Sequence, residues 1–208
     1  MFPNRVVLFF VLFFSLNSFL TAQNADFVRN SLLQKSRQAT KYFREQDFEK
    51  SLLLSREVLK RALLMNDSVL IAASYNTIGS NYNEFSEFDK SIEYYKKALF
   101  YANKTTNDSL KFKANNNLGN LYCYRKIDFK KGIKHYKEGL KYSIQHNDQY
   151  EIMFSKLNIG SAYFAVEDFS NGIQYFNEIK DYVDKQGDNE AKISINSNFG
   201  SYYNHLNN

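Results

Sequence analysis

Asparagines recur at a fixed interval along this sequence, and their type and spacing are the clearest hint of a binding site. Four of them follow one another at intervals of 41, 41 and 40 residues: Asn76, Asn117, Asn158 and Asn198. An amide both donates and accepts hydrogen bonds, so a row of these side chains can pair with the backbone of an extended peptide. The alternative is that each amide hydrogen-bonds the backbone of a neighbouring structural unit, and the sequence leaves both roles open.

Other chemistry is not indicated by the sequence. The three histidines, His135, His146 and His205, lie far apart, and none has metal-ligand spacing to a carboxylate or a thiol. The single cysteine, Cys123, has no histidine placed by sequence to activate it. Neither a nucleophile elbow nor a phosphate-binding glycine loop is present. We therefore expect no enzymatic activity, no metal and no cofactor.

The elements that position the asparagines repeat about every 40 residues. An apolar residue, a glycine and a tyrosine form a motif that occurs four times, after one degenerate copy: Gln38-Ala39-x-x-Tyr42, Ile78-Gly79-x-x-Tyr82, Leu118-Gly119-x-x-Tyr122, Ile159-Gly160-x-x-Tyr163 and Phe199-Gly200-x-x-Tyr203. An acidic-aromatic pair follows the first four copies: Asp47-Phe48, Glu87-Phe88, Asp128-Phe129 and Asp168-Phe169. Self-similarity at such a period is typical of a solenoid.

Each unit is predicted to consist of two helices. The first ends in the glycine motif, and the second begins at the acidic-aromatic pair, where the acid can accept from free backbone N–H groups. Boundaries between units are marked by an asparagine or glycine that ends one helix and an aspartate that caps the next: Asn66-Asp67, Asn107-Asp108, Asn147-Asp148 and Gly187-Asp188. Glycine inside a helix costs about 1 kcal/mol against alanine, so glycines on a fixed interval predict close contacts between helices.

The first 22 residues are predicted to be a secretory signal peptide. Arg5 is followed by an apolar run, Val6 to Phe14, and cleavage is expected after Ala22. The apolar run is shorter than the roughly 20 residues that span a bilayer, which favours cleavage over an uncleaved anchor. We therefore expect an exported protein, periplasmic or secreted.

Charge gives no indication of nucleic-acid binding by this segment. The formal net charge is +5, from 27 basic and 22 acidic residues that are interspersed along the chain. Nucleic-acid-binding proteins concentrate basic residues on one face, so this balance indicates a solvated surface.

The repeating motif resembles the tetratricopeptide repeat (TPR). That helix–turn–helix unit carries Leu-Gly-x-x-Tyr in helix A, then a small residue, an aromatic residue and another small residue in helix B. The likeness covers about residues 25 to 208 and is best in the second unit: Ile78, Gly79, Tyr82, Phe88, Ser91, Tyr95 and Ala98. The period is longer than the family's roughly 34 residues, and the proline that usually ends helix B is missing. In this respect the units look like those of kinesin light chains, bacterial quorum-sensing response phosphatases and the maltose-system transcription activator.

The resemblance implies an all-α fold, a right-handed α-solenoid of TPR-like helix–turn–helix repeats. The repeats would span about residues 25–66, 67–107, 108–147 and 148–187, with a truncated fifth at 188–208. The resemblance also implies that the first helices line a concave face, where these relatives bind peptides or protein partners. The candidate groove residues are Asn76, Asn83, Asn117, Asn120, Tyr124, Asn158, Phe164 and Asn198.

The leading functional hypothesis is a non-enzymatic protein- or peptide-binding module. The second helix of the fifth unit would lie beyond Asn208, so we expect the chain to be the front part of a longer protein. The module would be the extracytoplasmic sensor or scaffold part of a bacterial signalling protein, and would contact a membrane only through a further C-terminal helix. The alternative is a freestanding periplasmic or secreted scaffold that assembles other proteins.

Overall fold

The computed structural model describes the backbone of residues 3–206 and the side chains from Gln23 to Leu206. Residues 3–206 form nine α-helices and no strand, which confirms the prediction of an all-α fold. The helices are α1 (Pro3–Arg44), α2 (Phe48–Leu64), α3 (Ser68–Glu84), α4 (Phe88–Ala102), α5 (Asp108–Tyr124), α6 (Phe129–Gln145), α7 (Gln149–Ala165), α8 (Phe169–Gln186) and α9 (Asn189–Leu206).

The predicted signal peptide, residues 1–22, lies outside the residues whose side chains are described, and it stays a prediction. Over the described part of the chain, no helix combines the length and the apolar character that crossing a membrane requires.

The helices pack in consecutive pairs, and each second helix turns one narrow stripe toward its neighbours. In α6 the stripe consists of Gly132, Tyr136, Gly139 and Ser143, spaced three or four residues apart as a helical face requires. The buried apolar side chains form a series of clusters along the stack. A core that consists of successive local clusters is expected of a solenoid, because each unit packs only against its neighbours.

Three motif glycines allow these close contacts. A Cβ atom added at Gly79 would lie 2.7 Å from a ring carbon of Tyr95, and one added at Gly119 would lie 2.5 Å from the ring of Tyr136. At Gly160 the corresponding distance, to Phe176, is 2.5 Å. These separations are too short for any side chain, which confirms the predicted tight contacts at all three positions.

Most helix starts are capped by the side chains that the sequence indicates. Asp47, Asp128 and Asp168 accept hydrogen bonds from the backbone N–H groups three residues later, whereas Glu87 makes no such bond. One predicted cap is wrong: Asn107, and not Asp108, caps α5, and its Oδ1 atom accepts from the Leu110 N–H at 3.1 Å. Asp108 is the first residue of that helix, where its charge favours the helix N-terminus.

The turn between α5 and α6 has four residues, one more than the turn between α3 and α4. Ile127 lies in this turn with a φ angle of 54°, in the left-handed region. A β-branched side chain is strained there, whereas asparagine tolerates it. Asn66 and Asn147 occupy the same region, with φ angles of 52° and 56°.

Replacing Ile127 with asparagine is expected to raise the free energy of unfolding by about 1 kcal/mol. The isoleucine side chain is 67% exposed, so little packing is lost. Urea unfolding of wild type and Ile127→Asn measures the difference. Ile127→Ala is the matched control, because it removes the branched side chain without favouring the left-handed region, and it should recover less stability than asparagine.

Candidate binding groove

The first helices of successive pairs lie closer together than the second helices do. Contacts join α1 to α3, α3 to α5, α5 to α7 and α7 to α9. Within the described residues, no comparable contacts join α2 to α4, α4 to α6 or α6 to α8. A stack whose layers differ in this way curves toward the more closely spaced layer, so the first helices form its inner face.

The asparagines on this face bond to one another across neighbouring helices. Asn117 Nδ2 donates to Asn76 Oδ1 at 3.0 Å, and Asn158 Nδ2 donates to Asn116 Oδ1 at 2.9 Å. In each pair the donor lies two residues before the motif glycine of its own repeat. The acceptor lies three residues before the motif glycine of the preceding repeat. The amides therefore tie adjacent repeats together through side chains and not through the neighbouring backbone.

Asn198 makes a different bond because its expected acceptor is missing. The residue three before Gly160 is Leu157, which cannot accept a hydrogen bond. Asn198 Nδ2 instead donates to Ser161 Oγ at 3.2 Å and to the Ser194 carbonyl oxygen at 2.8 Å. The row of asparagine bonds thus continues to α9 with a shifted acceptor.

Buried tyrosine hydroxyls hold the residues that follow two of the motif glycines. Tyr95 donates to Ser80 Oγ at 3.0 Å, and Tyr136 donates to Asn120 Oδ1 at 2.6 Å. Burial raises the pKa of Tyr95 to about 12 and raises the pKa of Tyr136 as well. Both hydroxyls therefore stay protonated at neutral pH and act as fixed donors beneath the inner surface.

The inner face forms a depression of about 540 Å³ across α3 and α5. Four of the predicted groove residues line it together, namely Asn83, Asn117, Asn120 and Tyr124. The remaining lining residues were not predicted: Phe43, Ser80, Glu84, Tyr95, Leu121 and Arg125. Asn76 lies in an adjoining hollow of about 190 Å³, which shares Phe43 and Ser80 with the first.

The depression offers mixed chemistry. Tyr124 is 49% exposed, and burial of the rest of the side chain raises the pKa of its hydroxyl. The Arg125 guanidinium lies over the Phe88 ring, with its central carbon 5.2 Å from the ring centroid, and Glu84 Oε1 accepts from Asn83 Nδ2 at 3.1 Å. Amides beside an aromatic ring, with one cation and one anion at the edge, suit a segment that presents both backbone groups and side chains.

Comparison with known proteins places the fold. No protein-family model matches the sequence, and no curated protein matches it. Solved structures do match. RapI, in its apo form, superposes with a TM-score of 0.66 at 16% identity over 74% of this chain and 58% of its own. A STAND signal-transduction ATPase of Pyrococcus horikoshii, which carries a tetratricopeptide repeat sensor, gives 0.69 at 16% identity over 83% of this chain and 27% of its own.

A kinesin light chain-type protein of Podosopora anserina, with nearly identical TPR-like repeats, gives a TM-score of 0.66 at 10% identity over 85% of this chain and 89% of its own. The fold is a TPR-like helical solenoid. This confirms the predicted fold class. The chain spans little more than half of RapI and about a quarter of the ATPase.

One predicted groove residue belongs to the core of the TPR-like solenoid. Phe164 is 5% exposed, and its ring centroid lies 5.1 Å from that of Phe176 and 5.7 Å from that of Phe199. It therefore cannot contact a ligand on the inner face. The space it fills is the one that Gly172 leaves, where a Cβ atom would lie 2.2 Å from the Phe164 ring.

Cys123 is also part of the core. Its side chain is fully buried and unpaired, and burial raises the pKa of the thiol to about 11. The thiolate, which is the reactive form of a cysteine, is therefore scarce at neutral pH. This position offers no nucleophile to the groove.

The expectation that no histidine has a carboxylate beside it is wrong for His146. Its Nε2 atom lies 2.9 Å from Glu151 Oε2, at the junction of α6 and α7. Burial raises the pKa of the Glu151 carboxyl. The residues are five apart in the sequence, and the turn between the helices brings them together.

Proposed function

We propose that this TPR-like solenoid is a non-enzymatic module that binds an extended peptide or protein segment on its inner face. The observation that supports this most is the convergence of Asn83, Asn117, Asn120 and Tyr124 in one depression. Asn117 Nδ2 uses one of its hydrogens for the bond to Asn76, and Asn117 Oδ1 accepts no hydrogen bond among the described residues. The asparagine row thus ties the repeats together and still presents hydrogen-bonding groups to a ligand.

The cellular setting is a further part of the proposal. The predicted leader supports export, and the resemblance to repeat regions of bacterial signalling proteins supports a sensor or scaffold part of such a protein. A neighbour of this fold, the STAND ATPase, carries its tetratricopeptide repeats as a sensor within a longer chain. Fractionation of bacterial cells that express the full chain tests export: a cytoplasmic, unprocessed product would contradict it.

Replacing Tyr124 with alanine is expected to weaken peptide binding at least tenfold. Exposed tyrosines at the centre of an interface are frequent hot spots, and a tenfold loss corresponds to about 1.4 kcal/mol. Peptides would be selected from a random displayed library on the immobilised chain, and the affinity of a selected peptide would be measured by calorimetry for wild type and Tyr124→Ala.

The matched control is Phe100→Ala. Phe100 is a similarly exposed aromatic residue, at 58%, but it lies on α4 and does not line the depression. Its replacement should leave the affinity unchanged. Equal losses in both variants, or none in Tyr124→Ala, would place the binding surface elsewhere.

A further inference from the structure

Comparison of the repeats with one another singles out Glu151. The residue three positions after each helix cap of the first helices is Leu70, Leu110, Glu151 or Ala191. Leu70 and Ala191 are buried, at 0% and 2% exposure, and Glu151 is nearly as buried, at 8%. A carboxylate at a position that otherwise carries an apolar side chain costs free energy unless something compensates its charge.

The contacts of this carboxylate leave one oxygen poorly satisfied. Glu151 Oε1 accepts from Ser109 Oγ at 3.0 Å. Oε2 faces His146 Nε2 at 2.9 Å, but both atoms are buried and neither forms a hydrogen bond of acceptable geometry within the described structure. The two atoms therefore lie at contact distance without a hydrogen bond between them, and a proton or a cation shared by both would compensate the buried charge.

The tautomer of His146 shows that its neutral ring cannot donate a hydrogen bond to Glu151. Its Nδ1 atom lies 2.7 Å from the backbone carbonyl oxygen of Tyr142. A carbonyl only accepts, so Nδ1 carries the hydrogen and Nε2 presents a lone pair in the neutral ring. Two acceptors, Nε2 and Glu151 Oε2, then oppose each other unless a proton or a metal ion lies between them.

A third possible metal ligand, Asp148, lies beside His146 and Glu151. Asp148 caps α7 through Oδ1, which accepts from the Glu151 N–H at 3.0 Å. Ligand atoms of His146, Asp148 and Glu151 all lie within 4.8 Å of one another. One imidazole nitrogen with two carboxylates is a donor set that Zn²⁺ accepts. The Tyr142 carbonyl on Nδ1 and the Ser109 hydroxyl on Oε1 are the kinds of outer contact that orient metal ligands.

We propose that His146, Asp148 and Glu151 form a binding site for a divalent transition-metal ion, with Zn²⁺ the best fit to their donors. The site lies where α5, α6 and α7 meet. Bonds of about 2.0–2.2 Å place two ligand atoms no more than about 4.4 Å apart, so the carboxylates close slightly on the ion. Three protein ligands leave a fourth position for water. This site is separate from the groove and does not depend on the proposed function.

Titration of the chelator-treated full chain with Zn²⁺ tests the site. Calorimetry should show one ion bound per chain, and Co²⁺ should give the visible absorption of a four-coordinate site. Both Glu151→Gln and His146→Gln should weaken binding at least tenfold. In Glu151→Gln the new amide can donate to His146 Nε2, so the metal-free variant keeps its fold and its melting temperature.

The helix cap of α9 supplies a matched control. Asp188 caps that helix as Asp148 caps α7, accepting from the Ala191 N–H at 3.0 Å, but Gln186 and Ala191 stand where His146 and Glu151 stand. Asp148→Asn should therefore weaken Zn²⁺ binding, and Asp188→Asn should not. Undiminished binding in Glu151→Gln, or no saturable binding by the wild type, would show that His146 and Glu151 share only a proton and would overturn the proposal.

Discussion

Alanine in place of Gly119 is expected to lower the free energy of unfolding by about 2 kcal/mol, in the range that overpacking of a core usually costs. The new Cβ atom would lie 2.5 Å from two carbons of the Tyr136 ring. That ring cannot move aside easily, because it is fully buried and its hydroxyl is held by Asn120. Helix α6 must therefore shift away from α5, which loses packing along both helices.

The same substitution at Gly200 is expected to have the opposite sign. Gly200 occupies the equivalent motif position in α9, but among the described residues no neighbouring atom lies within 4 Å of a Cβ placed there, so the predicted close contact is wrong at this glycine. Alanine then gains only the helix propensity that glycine lacks, up to about 1 kcal/mol. Urea unfolding of the two variants compares them directly. A stabilised Gly119→Ala protein would mean that α5 and α6 are less closely packed than the structure shows.

The repeat architecture could be predicted because its determinants are local and recur. Glycines at a fixed interval indicate where helices pack closely. Aspartates indicate where helices begin. The exception at α5 shows the limit of this reasoning. Asn107 and Asp108 are both good caps, and the choice depends on where α4 ends and how the chain turns, which neighbouring residues do not determine alone.

The groove was only partly predictable, since spacing along the sequence does not fix the offset between helices. The interval of the asparagines was visible, but the bond from Asn117 to Asn76 depends on how α5 lies against α3. Phe164 shows the same gap. It follows its motif glycine by four residues, as Asn83 and Cys123 follow theirs, yet these three side chains end in different environments. Their sizes and the facing residue on the second helix decide which of them fills the core.

The acidic residue in the α7 core could have been found by aligning the units. Glu151 then stands in a column with Leu70 and Leu110, and His146 stands five residues before it. The glycine motif that reveals the repeats lies near the end of each first helix, whereas Glu151 lies in the first turn of α7, so the motif alone does not indicate this residue. An exception within a repeat is informative because the other copies show what the fold alone requires.

Gly132 and Cys123 are a second pair of close neighbours between α5 and α6, and both members can be substituted to test the packing there. Replacing Gly132 with alanine is expected to lower the free energy of unfolding by about 3 kcal/mol, the upper end of typical overpacking. The added Cβ atom would lie 2.1 Å from Cys123 Sγ and 3.1 Å from the Gly119 carbonyl oxygen. Gly139→Ala, on the same helix, is the control: its nearest contact is 3.5 Å, an ordinary separation, so no comparable loss is expected.

Removal of the sulfur should rescue Gly132→Ala. Cys123→Ala alone leaves a small cavity and is expected to cost about 1 kcal/mol, at the low end for large-to-small core changes. In the double variant the new methyl group occupies the space of the lost sulfur, so its stability should exceed that of Gly132→Ala despite the second substitution. A double-mutant cycle by urea unfolding should give a favourable coupling of about 2 kcal/mol, within the range for residues in contact. Additive losses would show instead that the Gly119 carbonyl, which the second substitution leaves in place, sets the distance between the two helices.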